Sequence, residues 1–132
     1  LNLPVTVVHV VRNPFDIVGS FSKIAKSPMD AAFQLEEMAR LVSEARSGVA
    51  DENWHTVRFE DLFDAPTETL ESLFAVLGLE PGPEFVDTVR ESLFESPPRP
   101  SARLTWTTEL KDRVFTLAEY DKALCRYMVE PT

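Results

Sequence analysis

Val7-Val8-His9-Val10-Val11-Arg12-Asn13-Pro14-Phe15-Asp16-Ile17-Val18-Gly19-Ser20 is the stretch on which the rest of the chain is organised. The run from Val5 to Val11 is apolar and β-branched, the pattern of a strand buried on both faces. It breaks at Asn13-Pro14. Proline suits the first turn of a helix because its missing N–H would be unpaired there anyway, and asparagine is a good N-cap. Asp16 falls in the first turn, where a carboxylate complements the helix dipole. The predicted helix runs from Pro14 to about Lys26, with Ile17, Val18, Phe21 and Ile24 as its apolar stripe. Gly19 inside it costs stability relative to alanine, which suggests a close approach of the strand or of a ligand. The reading is strand, tight turn, helix, with Arg12 at the strand's C-terminal end, where ligands of open α/β sheets bind. Ser20 lies about two turns along the helix from the same loop, with Ser22 and Lys23 as nearby substitutes. A guanidinium and a hydroxyl converging on one crevice suit an anion, above all a phosphate. An ordinary βα unit with an exposed arginine is the plainer reading of these residues. His9 titrates near neutrality and so suits a general base. It stands three residues, about 10 Å, behind the site end of the strand, and this favours a partly buried strand histidine with a hydrogen-bond partner.

A chain of 132 residues supports one domain or part of one. The formal net charge of -9 argues against a nucleic-acid or heparin surface, while leaving room for a local cationic pocket. No apolar run reaches transmembrane length. Cys125 is the single cysteine, so there is no internal disulfide framework and no cysteine-built metal site, and no metal is expected. The cytoplasm is the expected compartment. No repeat, low-complexity tract or signal peptide is present in these residues. A strand that starts almost at Leu1 is odd for a natural N-terminus, so the chain is expected to be processed, cut or trimmed.

Further along, Ser27-Pro28-Met29-Asp30 is a second helix start, with a capping serine, proline at the first position and an acid three residues after the cap. That helix runs to Ser47-Gly48. Ala32, Leu35, Met38, Ala39 and Val42 fit its buried face, and Glu36, Glu37, Arg40, Glu44 and Arg46 a solvated one. Trp54 to Phe59 reads as a second, more mixed strand, followed by Glu60-Asp61-Leu62. Pro66 opens a helix with Leu70, Leu73, Phe74 and Leu77 as its stripe and Gly78 as its stop. After the turn Pro81-Gly82-Pro83, a short helix carries Phe85, Val86, Val89 and Leu93. Ser96 to Arg103, with three prolines, reads as an extended loop bearing Arg99 and Arg103. A last helix begins near Thr107 or Thr108, with Leu110, Val114, Leu117 and Leu124 buried and Tyr120 and Tyr127 beside them.

Arg12-Asn13-Pro14-Phe15-Asp16 followed by Ser20 resembles the 3′-phosphate-binding segment of sulfotransferases, which use 3′-phosphoadenosine 5′-phosphosulfate (PAPS) and release adenosine 3′,5′-bisphosphate. Arg58-Phe59-Glu60-Asp61-Leu62, with Pro66 and the helix ending Val76-Leu77-Gly78-Leu79, resembles the family's Tyr-Glu-Asp-Leu segment and the helix after it. The two blocks occur in the family's order and at a plausible spacing. Phe59 stands where the family has a tyrosine near the adenine; its ring can still stack, but the hydroxyl is lost, and simple core packing is the alternative reading. Glu60 and Asp61 are expected to fix the loop and helix start. Many sulfotransferases close the nucleotide site with a late basic loop, then a tryptophan and a terminal helix. The candidates here are Arg99, Ser101 and Arg103, with Trp106 as a packing anchor. The Arg-Lys-Gly triplet of the cytosolic branch is absent, and the sequence does not choose between Arg99 and Arg103.

The resemblance implies an α/β fold: a helix-rich part of a P-loop-NTPase-like, three-layer parallel sheet, lacking its N-terminal phosphate-loop portion. Residues 1–132 would then be the C-terminal portion of a single sulfotransferase-like domain. No Gly-rich loop with lysine appears, and the catalytic base is expected upstream of Leu1. Two predicted strands make a poor sheet alone, so an N-terminal half, in cis or as a separate chain, is an expected partner. The implied reaction transfers a sulfuryl group from PAPS to a hydroxyl or amine of a small-molecule or glycan acceptor. Two rival readings are a non-catalytic nucleotide-binding or interaction module with this fold, and a P-loop kinase relative. Selectivity for a 3′-phosphate separates the last from the first.

Overall fold

The computed structural model describes residues 4–93 and 95–129. In chain order these form β1 (Val7–Val11), α1 (Pro14–Phe21), α2 (Pro28–Ser47), β2 (Trp54–Arg58), α3 (Asp61–Asp64), α4 (Pro66–Val76), α5 (Pro83–Ser92), α6 (Thr108–Phe115) and α7 (Leu117–Tyr120). Short 3-10 segments lie at Asp51–Asn53, Pro100–Arg103 and Lys122–Tyr127. The fold is a helix-rich α/β arrangement with a small two-stranded parallel sheet. No helix of the described residues is long and apolar enough to cross a membrane. The chain divides into two compact units.

The first unit comprises Leu1–Val11 and Ala50–Pro98. β1 and β2 pair in parallel from Val7 opposite Trp54 to Val11 opposite Arg58, and the N–H of Phe59 extends the ladder by donating to the Val11 carbonyl at 2.8 Å. β1 was expected to start at Val5 and to be buried on both faces. It starts at Val7, and Val5 and Val10 are 59% and 60% exposed. The reason is the sheet's size: β2 is its single strand neighbour among the described residues, and two helices of this unit, α3 and α4, pack against β2. α4 ends in a Schellman motif. Gly78 takes φ 68°, its N–H donates to the Ala75 carbonyl at 3.1 Å, and the Leu79 N–H donates to the Phe74 carbonyl at 2.8 Å. Leu77, read as core, is 44% exposed at this helix end.

The second unit comprises Arg12–Val49 and Arg99–Thr132. Side chains cap the starts of α1, α2 and α6, the first two as their sequences predict. Asn13 Oδ1 accepts from the Phe15 N–H at 3.0 Å, Ser27 Oγ from the Asp30 N–H at 3.0 Å, and Thr107 Oγ1 from the Leu110 N–H at 3.2 Å. α1 stops at Phe21 rather than near Lys26. Ser27 must be extended (φ −159°) to cap α2, and Asp30 Oδ2 also draws in the Lys26 N–H at 3.1 Å. The chain therefore leaves α1 early, and Ile24, read as part of the stripe, is 85% exposed. α2 packs on α1 and on α6 and α7. Val18, Val114 and Leu117 are wholly buried in this core. Met38, assigned to the buried face of α2, is exposed. Glu36, assigned to the solvated face, instead accepts from Arg113 Nη1 at 3.0 Å and lies 3.5 Å from the Tyr120 hydroxyl, while Arg113 also lies over the Phe33 ring. The expected last helix is broken into α6, α7 and the 3-10 segment. Thr116 Oγ1 donates back to the Arg113 carbonyl, and Asp121 takes an extended backbone and caps the final segment by accepting from the Ala123 N–H.

Candidate anion-binding site

α1 is the spine of the site. Arg12 directly precedes its N-cap and is half-buried. The buried Nε of Arg12 makes no hydrogen bond to the described residues, while the residue as a whole is engaged by its surroundings. Ser20 lies on the last turn of α1 and is exposed. Ser22, its nearest substitute, is committed elsewhere, because its hydroxyl donates to the Gly19 carbonyl at 2.8 Å. Asp16 and Ser20 are four residues apart and share one side of the helix, with Gly19 beside them.

That side meets the late turn. Asp16 is 5% exposed, and its Oδ1 accepts from the Ser101 hydroxyl at 2.6 Å and from the Ser101 N–H at 3.1 Å. A Cβ on Gly19 would stand 2.6 Å from the carbonyl carbon of Pro100 and 2.6 Å from the nitrogen of Ser101, closer than backbone can tolerate. The glycine thus serves approach of the late turn rather than of the strand or a ligand. Trp106 Nε1 donates to the Ser101 carbonyl at 2.9 Å, and the Trp106 ring meets the edge of Phe15 at 5.0 Å. Trp106 is a packing anchor, as expected.

This arrangement revises the late loop. It was expected to be extended, but Pro100–Arg103 forms a 3-10 turn, with the Leu104 N–H donating to the Ser101 carbonyl and the Ala102 N–H to the Arg99 carbonyl. Ser101 was a candidate ligand. Its hydroxyl is turned inward to Asp16 and the residue is 3% exposed, so it is a structural member of the site. Arg99 precedes the turn, Arg103 ends it, and both are exposed. Arg12, Ser20, Arg99 and Arg103 therefore fall within one unit, Arg12 just before the N-cap of α1, Ser20 on its last turn, and the two late arginines at the turn packed on that helix. Asp16 was read only as a partner of the helix dipole. The available signal for its second role was the glycine three residues on, an unfavourable choice in a helix unless something packs there.

Phe59 belongs to the other unit and is half-buried, its ring meeting the edge of Phe63 at 5.2 Å. Asp61 holds the start of the following helices. It accepts from Arg58 Nη1 at 2.8 Å, and its carbonyl accepts from Thr69 Oγ1 at 3.0 Å. His9 has the strand-histidine environment: its Nδ1 is 3.4 Å from Thr56 Oγ1, and its ring leans on Trp54 at 5.2 Å.

No curated protein and no solved structure matches the chain. The model of the sulfotransferase family matches residues 5–84, which include Arg12, Ser20 and Phe59 and stop short of the late turn. With more than half of its length in that match, the chain belongs to the sulfotransferase family.

Proposed function

We propose that this chain is the nucleotide-holding part of a PAPS-dependent sulfotransferase. The observation that carries the reading is that the family match spans the Arg12-Asn13-Pro14 turn and the helix to Ser20, the segment that supplies the candidate cation and hydroxyl. The donor set suits a phosphate dianion: Arg12 offers a forked, charge-assisted pair, Ser20 an O–H, and the late-turn arginines further charge. Arg12 and Ser20 take the 3′-phosphate. The 3′-phosphate separates PAPS from ATP-like nucleotides, so these two residues set nucleotide choice. PAPS, when bound, supplies the sulfuryl group that passes to a hydroxyl or amine of a small-molecule or glycan acceptor. Residues 1–132 form the C-terminal portion of one P-loop-like domain. The phosphosulfate loop and the catalytic base lie outside these residues, in cis or on a separate chain. The exposure of Val10 on β1 supports that division, since parallel sheets are ordinarily covered on both sides.

The test is the thermal shift of the longest natural form of the protein with adenosine 3′,5′-bisphosphate, against 5′-AMP and ATP. A ligand that binds only the folded state raises the melting temperature by mass action. The expected result is selective stabilisation by the bisphosphate, with Arg12→Ala weakening its binding by more than ~1.5 kcal/mol, the scale of a charged hydrogen bond. Equal shifts with ATP would favour a kinase-like relative. No shift in a folded protein would favour a non-catalytic interaction module.

A further inference from the structure

The geometry points to a polar latch, Asp16 on α1 gripping Ser101 across Gly19, that positions Arg99 to share the anion held by Ser20. The inference rests on the nucleotide reading above and adds residues to it that touch no ligand: Asp16 and Ser101 are positioning residues.

Three observations carry it. First, a carboxylate 5% exposed is costly to bury, and here it is compensated by two donors of one residue 85 positions away in the chain. The Asx-type bonds that such an aspartate could make locally are replaced by bonds to a distant loop. Second, the closest backbone approach is between Gly19 and Pro100-Ser101. Ser20 follows Gly19, and Arg99 precedes Pro100. Each is one residue, about 3.8 Å between Cα atoms, from that contact. An arginine side chain has ample reach over such a span. Arg103 ends the turn, two residues along the chain from Ser101, whereas Arg99 is next to Pro100. Third, the turn is held from behind by the Trp106 indole N–H on the Ser101 carbonyl and by the Phe15–Trp106 contact, so the latch has a rigid support. The sequence left Arg99 and Arg103 equivalent, and the latch distinguishes them.

The experiment uses the longest natural form of the protein and titrates adenosine 3′,5′-bisphosphate and 5′-AMP into wild type, Ser101→Ala, Asp16→Ala, Arg99→Ala, Arg103→Ala and Ser101→Ala/Arg99→Ala. Ser101→Ala is the main variant because it removes one hydroxyl and leaves the turn's backbone intact; Asp16→Ala is the harsher check. Ser101→Ala is expected to weaken the bisphosphate roughly 3- to 10-fold, the range of one hydrogen bond, and to leave 5′-AMP unchanged. That loss should vanish in the Arg99→Ala background, and Arg103→Ala should cost less than Arg99→Ala. Trypsin gives a readout independent of ligand. It cuts after Arg103 but not at Arg99-Pro100, and cleavage at Arg103-Leu104 should speed up in Ser101→Ala. Wild-type bisphosphate affinity in Ser101→Ala, or a loss that persists undiminished beside Arg99→Ala, overturns the latch even if Arg12→Ala confirms the nucleotide site. A folded wild type with no preference for the bisphosphate overturns the nucleotide reading and this assignment with it. In that case the trypsin rates still report whether Asp16 holds the turn.

Discussion

The two compact units are built on opposite plans. The α1 unit has wholly buried side chains at its centre, Phe15, Val18, Val114 and Leu117, and side-chain caps at three helix starts. In the sheet unit, the apolar residues buried among the described ones are Val11, Leu70 and Val86, while Val10, Leu79 and Phe85 stand in water. Both obey the same rules. Both expose large apolar side chains, Ile24 and Met38 in the α1 unit among them; the difference lies in the buried centre, since a two-stranded parallel sheet leaves faces and edges that it cannot cover itself. The candidate residues Arg12, Ser20, Arg99 and Arg103 all belong to the α1 unit, and the late turn that carries the last two packs on α1.

The largest test of that contrast is core truncation. Phe15 is 1% exposed and is the ring against which both Trp106 and Phe115 pack edge-on. Phe15→Ala is expected to cost about 3–5 kcal/mol by chemical denaturation. Leu70→Ala, in the thinner core of the sheet unit, belongs near the low end for such changes, about 2 kcal/mol. An equal or larger loss at Leu70 would break the contrast.

Two glycines sharpen it at smaller cost, because they are needed for different reasons. At Gly19 the obstacle is space: an added methyl meets the backbone of Pro100 and Ser101, which cannot swing aside as a side chain would. Gly19→Ala should cost about 1–3 kcal/mol as overpacking and should speed hydrogen exchange of the Ser101 N–H. At Gly78 the obstacle is conformation: φ is 68° and nothing lies within 4 Å of where a Cβ would stand. Gly78→Ala should cost about 1 kcal/mol from the backbone alone and leave the Ser101 amide unchanged. If Gly19→Ala leaves Ser101 exchange untouched, the late turn is not held by that contact.

How far the sequence could be read follows the same division between local and distant causes. The caps at Asn13 and Ser27, the helix start near Thr107, the glycine stop at Gly78 and the order of strands and helices were legible, because each is dictated by neighbours a few residues away. Arg12 and Ser20 were legible as a pair through the turn between strand and helix and through the family likeness. The inward turn of Ser101 and the second role of Asp16 were not, since 85 residues separate them and either alone has a common local use. The end of α1 was misjudged for a related reason. The apolar spacing through Ile24 favoured a longer helix, but the capping demand of Ser27 won. Glu36 illustrates the limit of face assignment: its position on α2 reads as solvated until α6 and α7 supply Arg113 and Tyr120.

The smallest effect is expected where a carboxylate and its donor face water, the reverse of the Asp16 latch. On the outer side of α2, Arg40 Nη2 and Nε donate to Glu37 at 2.6 and 3.1 Å, and Arg40 also pairs with Glu44 one turn on. Hydrogen bonding from Arg40 holds the Glu37 carboxyl below its ordinary value, and the same bonds raise Arg40 above its own. Because the folded-state value of Glu37 is depressed, whatever stability it contributes is present above the usual carboxylate range and is lost as pH falls through the depressed value. The side chains are 42% and 59% exposed, so salt and solvent screen the pair, and the change belongs in the titration rather than in the denaturation curve. Arg40→Gln should return the Glu37 midpoint to the ordinary range in an NMR titration and barely move the melting temperature at neutral pH. A Glu37 that already titrates normally in the wild type would remove the pair. A large drop in melting temperature would mean that Arg40 acts through packing. Either result would erase the distinction between a buried carboxylate that fixes a distant loop and an exposed one that decorates a helix.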